Sequence, residues 1–353
     1  MSTATSSTAT SDTSEEAPVW IGLDVSKLKL DACFVDQSGV TRSKSFANTP
    51  AGWATLLAWA LALGQEKPCH FALEATACYS DGAALFLCQE GQRVSVLNPS
   101  RVHFAALASG MGNKTDQADA RLIAEYCRKE NPPAWQPPSP ELRTLADLVR
   151  RREDLLEALG QEKNRQEQQS LSPLVKQSLQ RSVRSLEREI ARVEKAIAQH
   201  VASHPVLAKQ ATLLESIPGI SHLTAQKILA ELGGAPERFA CSSSAAAYAG
   251  LAPREHRSGS SVRKKTRLSK RGNAALRKAL YFPTVTALRF NPLVKAFYER
   301  LVASGKRKMV ALGAAMRKLL LIAVGVLRSG KPFDPAWSEK VRQDRSAPAF
   351  MAT

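Results

Sequence analysis

The 353-residue sequence predicts a mixed α/β domain followed by a mainly helical, strongly basic half, and three observations carry that prediction. Short apolar runs alternate with helix-period segments only as far as about residue 127. Five prolines crowd into Asn131-Pro-Pro-Ala-Trp-Gln-Pro-Pro-Ser-Pro140, which reads as an extended connector. Charge divides at the same place: residues 1–140 hold 11 Lys/Arg against 14 Asp/Glu, whereas residues 141–353 hold 38 against 18. A protein that grips a polyanion with one part and operates on it with another separates its charge in this way.

Residues 1–17 are rich in Ser, Thr and Ala, lack an apolar run, and read as a disordered tail rather than a signal peptide. Residues 18–140 form the first domain. Within it, 19–25 and 30–35 are apolar runs across a short polar turn, hence a hairpin, and 41–46 supplies a third strand. A helix over 52–63 follows, then a strand ending at Glu74, a helix near 83–90, and a strand over 93–97 stopped by Asn98-Pro99. A hairpin first and strand–helix alternation afterwards is the order of the ribonuclease H-like fold. That fold places Asp24 on the first strand, Glu74 on a neighbour, and a helix bearing Asp116 and Asp119 across the sheet.

Beyond the proline-rich linker at 131–140, the region 141–205 holds Leu179, Val183, Leu186, Ile190, Val193 and Ile197 at spacings of 4, 3, 4, 3 and 4. This heptad seam predicts a helical coiled coil or helical hairpin and favours a homo-oligomer, a dimer or tetramer. The segment 206–333 reads as a mainly α C-terminal domain, and 334–353 as a tail. Its most apolar stretch, 309–327, is interrupted by Arg317 and Lys318 and reads as a buried helix, not a membrane span. Residues 213–225 place Pro218-Gly219 between two apolar-periodic segments, with Ser221 able to cap the second. Such a helix-hairpin-helix turn offers backbone N–H groups to a phosphate at Gly219, or is an ordinary core connection.

The six cysteines show no Cys-x-x-Cys spacing, which excludes a zinc knuckle and a disulfide framework and leaves reduced thiols. The carboxylates are more informative. Asp24 and Glu74 sit on or beside buried strands, where unpaired charge is costly, and Asp116 and Asp119 share one helix face. Four like charges converging on one point call for a divalent cation, and all-oxygen ligands suit Mg2+ or Mn2+. Metal-dependent phosphodiester chemistry follows.

Between Pro253 and Lys278 lie ten basic residues, among them Arg254, Arg257, Arg263, Lys264, Lys265, Arg267, Lys270 and Arg271, opposed only by Glu255. A run this dense binds phosphates through counterion release. Inside it, Ser258 stands on a Gly-containing loop flanked by arginines, where its hydroxyl could attack a phosphodiester; Ser-Gly-Ser-Ser is equally the composition of a flexible loop. His256 stands two residues from Ser258 and is a candidate base. His200 and His204 have helical metal spacing without a third ligand and read as a solvated helix end. Trp20, Trp53, Trp59 and Phe71 read as core.

The ordered set Ile21-Gly-Leu-Asp24-Val-Ser-Lys27, Leu73-Glu74-Ala-Thr76, Asn98-Pro99, Lys114-Thr-Asp116-Gln-Ala-Asp119-Ala-Arg121, Ile217-Pro-Gly-Ile220, Ala249-Gly-Leu-Ala-Pro253 and Ser258-Gly-Ser-Ser261 resembles the DEDD transposases of insertion sequences. Those are relatives of pilin-gene invertases and bridge-RNA-guided recombinases. The resemblance implies a RuvC-like N-terminal domain whose acidic tetrad is Asp24, Glu74, Asp116 and Asp119, and a C-terminal transposase domain whose serine nucleophile is Ser258. It implies donor and target DNA and a noncoding guide (bridge) RNA as partners, no membrane, and a cytoplasmic, nucleoid-associated location in a bacterium. Cys78 departs from the Gly that many relatives carry there. The rival readings are a RuvC-like junction nuclease in which the tetrad activates water, and an actin-like ATPase or sugar kinase. The latter lacks its Gly-rich phosphate loops.

Overall fold

The computed structural model describes residues 18–336 apart from 76–78, 109–114, 169, 234–238, 240 and 259–261, and at 242, 255–258 and 262–265 it describes the backbone alone. The tail at 1–17 and residues 337–353 of the second tail lie outside these. The chain divides into two compact units, Met1–Pro137 and Pro138–Thr353.

In the first unit, strands β1 (Val19–Val25), β2 (Lys29–Val35) and β3 (Thr41–Ala47) form an antiparallel meander. Helix α1 (Pro50–Gly64) leads to β4 (Cys69–Glu74), and α2 (Asp81–Gln89) to β5 (Arg93–Leu97); β4 runs parallel to β1 and β5 parallel to β4. The sheet order is β3-β2-β1-β4-β5, the mixed α/β arrangement that the hairpin-then-alternation pattern predicts. Helices α3 (Pro99–Ala108) and α4 (Asp116–Glu130) follow.

Side chains alternate across a strand, so Ile21, Leu23, Leu30, Phe71 and Leu73 point to one face, where α1 and α2 bury them with Leu56, Ala60 and Leu87. Trp59 packs its ring against Phe34 and Phe46, and Trp53 against Phe86, as core aromatics. The opposite face is lined by small residues. A Cβ on Gly22 would stand 2.1 Å from the Ala120 carbonyl oxygen and 2.3 Å from the Ala124 nitrogen. Glycine is what lets the backbone of α4 lie directly on β1, and Cys33, Ala120 and Ala124 complete that contact.

The proline-rich connector is docked on β5. The Trp135 N–H donates to the Val94 carbonyl at 2.7 Å, and Arg93 donates to the Pro132 carbonyl at 3.2 Å. The Ser95 hydroxyl lies 2.8 Å from the Pro133 carbonyl and 3.1 Å from that of Pro132. Its single hydrogen goes to a proline carbonyl, so its lone pair receives the Nε2–H of buried His70 at 2.8 Å. Burial, then Arg93, pushes His70 down to about 4 and keeps the ring neutral.

In the second unit, α5 (Pro140–Gln166) and α6 (Pro173–Ser203) form an antiparallel helical hairpin, tied by Arg152 to Glu194 at 2.7 Å and Lys163 to Glu187 at 2.9 Å. Val183, Ile190 and Ile197 of the heptad seam are buried in this single chain. The seam therefore packs within the chain, as the hairpin alternative has it. The end of α6 is not a solvated terminus: the His200 Nε2–H donates to the Glu141 carbonyl at 2.8 Å, and the His204 ring packs against His200 at a tilt. Leu145, Val149, Ile197 and Val201 share one core cluster with the helices that follow. These are α7 (Pro205–Glu215), α8 (His222–Leu232), α9 (Ser242–Tyr248), α10 (Ala274–Ala279), α11 (Tyr281–Phe290), α12 (Pro292–Ala303) and α13 (Lys308–Ser329). Length and composition alone would let α13 cross a membrane. Half its residues are buried in the core of this unit instead.

The one departure from the mainly helical expectation lies in the basic segment. It is a β-ribbon, β6 (Pro253–Ser258) paired antiparallel with β7 (Val262–Leu268). Its charged residues give no apolar alternation to read, so backbone pairing alone reveals it.

Candidate active site

Four of the five candidate catalytic residues lie toward the sheet face that α4 covers. Asp24 stands opposite Asp31 in the β1–β2 register, and Asp31 opposite Ser45 of β3. Residues directly opposite share a face. In the parallel β1–β4 pair Leu23 lies beside Leu73, which carries Glu74 to the same face one residue further on. Helix α4 begins at Asp116 because Thr115 caps it, its hydroxyl accepting the Ala118 N–H at 3.2 Å. Asp116 and Asp119 thus occupy the first turn, where exposed N–H groups and the helix dipole favour negative charge.

Their fields converge on Asp24. Burial first, then Asp119, Asp116, Asp31 and Glu74, push its carboxyl up to about 6.

Two participants escape the motif reading, Asp31 and Lys29. Asp31 is 5% exposed and accepts a short hydrogen bond from the Ser45 hydroxyl. Lys29 places its ammonium 2.9 Å from Asp31 Oδ2 and 2.7 Å from Asp116 Oδ2, joining β2 to the start of α4. The hydrogen bond from Lys29 holds Asp116 below the ordinary carboxylate range, and the two carboxylates raise Lys29 in return. A signal for Asp31 exists in the sequence. It is the one acid inside the apolar run at 30–35, and counting back across the three-residue turn at 26–28 puts it opposite Asp24.

All-carboxylate oxygen donors suit a hard divalent cation, and the repulsion that raises Asp24 is what such a charge relieves. Among the described residues no group of three or more His, Cys, Asp or Glu is spaced to hold an ion as it stands. Asp116 is engaged by Lys29 instead.

The remaining candidates lie in the second unit. Ser258 is the last residue of β6, in register with Val262. Its side chain, with those of His256, Arg257, Arg263, Lys264 and Lys265, lies outside the described set, as do Gly259, Ser260 and Ser261. Arg254 and Arg267 are exposed and stand opposite each other, and the register likewise sets Arg257 beside Arg263 and His256 beside Lys264. Like charges directly opposite destabilise a ribbon, so an anion that bridges them is favoured. At its base the ribbon is fastened: the Ser269 N–H donates to the Ala252 carbonyl at 2.9 Å and the Lys270 N–H to that of Gly250 at 3.0 Å. Lys270 and Arg271 are exposed just beyond.

The turn between α7 and α8 has the expected cap, the Ser221 hydroxyl accepting the Thr224 N–H. Gly219 has a φ of +105°, and a Cβ there would stand 2.8 Å from both Ala287 Cβ and the Pro283 carbonyl of α11. Packing alone therefore requires glycine at this position.

The sequence profile described as Transposase IS116/IS110/IS902 family matches residues 211–299, and the DEDD transposase profile of IS110 elements matches residues 21–171. The pilin gene-inverting proteins of Moraxella lacunata and Moraxella bovis are each 35% identical over 317 residues, covering 89% of this chain and 97% of theirs. An uncharacterized 42 kDa protein of insertion element IS900 from Mycobacterium paratuberculosis is 25% identical over 399 residues, covering 90% and 98%.

Proposed function

Because this chain belongs to the IS116/IS110/IS902 family of transposases and is therefore a DNA recombinase, we propose that it cuts and rejoins the donor and target DNA of an insertion sequence through a covalent phosphoserine on Ser258. The observation that carries the acidic half of this reading is the placement of Asp24 and Glu74 on one face of adjacent strands, with Asp116 and Asp119 in the first turn of the helix packed on that face. Those four residues would hold Mg2+ or Mn2+, which supplies positive charge beside the scissile phosphate.

The chain's own groups do the rest. The Ser258 hydroxyl oxygen attacks phosphorus in line; its bond to phosphorus forms as the bond from phosphorus to the 3′ oxygen breaks, giving a 5′-phosphoserine and a free 3′-hydroxyl. The serine proton passes to a base, and the leaving 3′ oxygen takes one up. After strands exchange, the 3′-hydroxyl of the partner strand attacks the phosphoserine and releases the serine, so no bond is lost to water. Arg254, Arg257, Arg263, Lys264, Lys265, Arg267, Lys270 and Arg271 bind the phosphates of the substrate. With carboxylates on one unit and serine on the other, assembly of copies into a dimer or tetramer would allow one copy's acids to serve another's serine. A noncoding RNA fits the same basic surface, which does not itself distinguish RNA from DNA; family membership is what supports it.

The test is the Ser258→Ala protein, incubated with donor DNA, target DNA, Mg2+ and whatever RNA copurifies with the wild type. Loss of the protease-sensitive protein–DNA adduct and of recombinant product is the expected result. Normal adduct would move the nucleophile to another residue, and protein-free nicks bearing a 5′-phosphate in the wild-type reaction would replace this mechanism with hydrolysis.

A further inference from the structure

Lys29 belongs to none of the motifs that define the acidic tetrad, yet it is paired with one of its members. Its ammonium lies 2.7 Å from Asp116 Oδ2 and 2.9 Å from Asp31 Oδ2. The two carboxylates differ in what they ask of it. Asp31 is buried, and its charge is balanced by Lys29 and by the Ser45 hydroxyl. Asp116 is 57% exposed at the side chain. An ion pair on so exposed a carboxylate is weak.

Lys29 is thus anchored on its Asp31 side and exchangeable on its Asp116 side. As the residues stand, no three of the acids on this face are spaced for an ion, and Asp116 is committed to Lys29. Drawing Asp116 in beside Asp24 and Asp119 requires breaking that bond.

We infer that Lys29 is a positioning residue that competes with the divalent cation for Asp116, holding the tetrad open until the metal displaces it. The inference rests on the reading that the tetrad binds a divalent cation. It concerns what stands in the way of that binding, and it predicts a gain of affinity where a merely structural lysine predicts a loss.

Mn2+ alone is the probe, its binding to the full chain followed by the electron paramagnetic resonance of the free ion. Lys29→Met keeps the length of the side chain and removes its charge, and is expected to bind Mn2+ about five-fold more tightly, the worth of ~1 kcal/mol. Lys29→Arg keeps the competing charge and is expected to stay near wild type. Lys27→Met, two residues away and exposed, controls for the general loss of one positive charge and should shift affinity less than two-fold. Unchanged or weaker binding by Lys29→Met, or an equal gain in Lys27→Met, overturns the competition. Asp24→Asn separates the levels: if wild-type binding does not depend on Asp24, the metal site and the role of Lys29 both fall. If it does depend on Asp24 and Lys29→Met is unchanged, only the role of Lys29 falls.

Discussion

Replacing Asp24 by Asn should stabilise the first unit at neutral pH, even though it removes a residue assigned to catalysis. Burial and four acidic neighbours all push the Asp24 carboxyl in one direction, from the ordinary 3.8 up to about 6. Between those values the folded protein holds a proton that the unfolded chain has released. The contribution of this carboxyl to stability is therefore greatest below about pH 4, falls as pH rises from there to about 6, and is a constant penalty above. At 1.36 kcal/mol per pH unit the shift corresponds to about 3 kcal/mol, and the half-exposed position reduces this through solvent screening to about 1–2 kcal/mol. Asparagine keeps the shape and has no charge to impose. In metal-free buffer with chelator, Asp24→Asn should melt roughly 5 °C above wild type at pH 7.5, with the difference vanishing near pH 4. Tryptophan fluorescence is the assay, since Trp20, Trp53, Trp59 and Trp135, four of the five tryptophans, lie in the first unit. Mg2+ at a hundred times its dissociation constant should then raise the wild type by about 2.7 kcal/mol and leave the variant unmoved. A variant that melts at or below wild type at pH 7.5 would refute the electrostatic account of this face.

Gly22→Ala forces a methyl group to within 2.1 Å of the Ala120 carbonyl oxygen and lifts α4, with Asp116 and Asp119, off β1; the expected cost is about 3 kcal/mol or more, read by the same fluorescence melt, and a shift under about 2 °C would contradict it. Arg254→Gln and Arg267→Gln remove described, exposed charges from the ribbon. If both contact phosphate, each should lower the slope of log affinity against log salt for duplex DNA by about 0.9, and an unchanged slope would take the ribbon out of the interface.

The N-terminal fold is legible because its signals are strong and independent. Apolar runs at 19–25 and 30–35, a strand ending at Glu74 and another over 93–97 leave few other sheets to build. The carboxylates follow from placement, since a buried strand acid such as Asp24 demands an explanation that a surface acid does not. Lys29 is hidden because its importance is relational. A lysine at the start of a strand is unremarkable until the register sets it between two acids. The ribbon at 253–268 was hidden for a different reason: strand reading relies on alternation of apolar and polar side chains, and here charged residues occupy both faces. The seam on α6 was visible, but a heptad does not say whether its partner is another chain or the preceding helix, and α5 takes that place here.

The four acids of the tetrad are not equivalent, and the inequality says where an incoming charge matters most. Asp116 and Asp119 sit at a helix N-terminus, and Asp116 also takes the Lys29 ammonium. Asp31, the fifth acid, is buried but served by Lys29 and Ser45. For Asp24 every influence, burial and neighbours alike, opposes ionisation. A cation that lowered the cost at Asp116 would gain little, because a lysine already does so; one that reached Asp24 would relieve the whole set at once. The second unit carries the complementary strain, with Arg254 facing Arg267 and Arg257 in register with Arg263. Each unit therefore folds around charge it does not neutralise alone, negative in one and positive in the other. A divalent cation and a polyanion are the ligands that would answer those two charges.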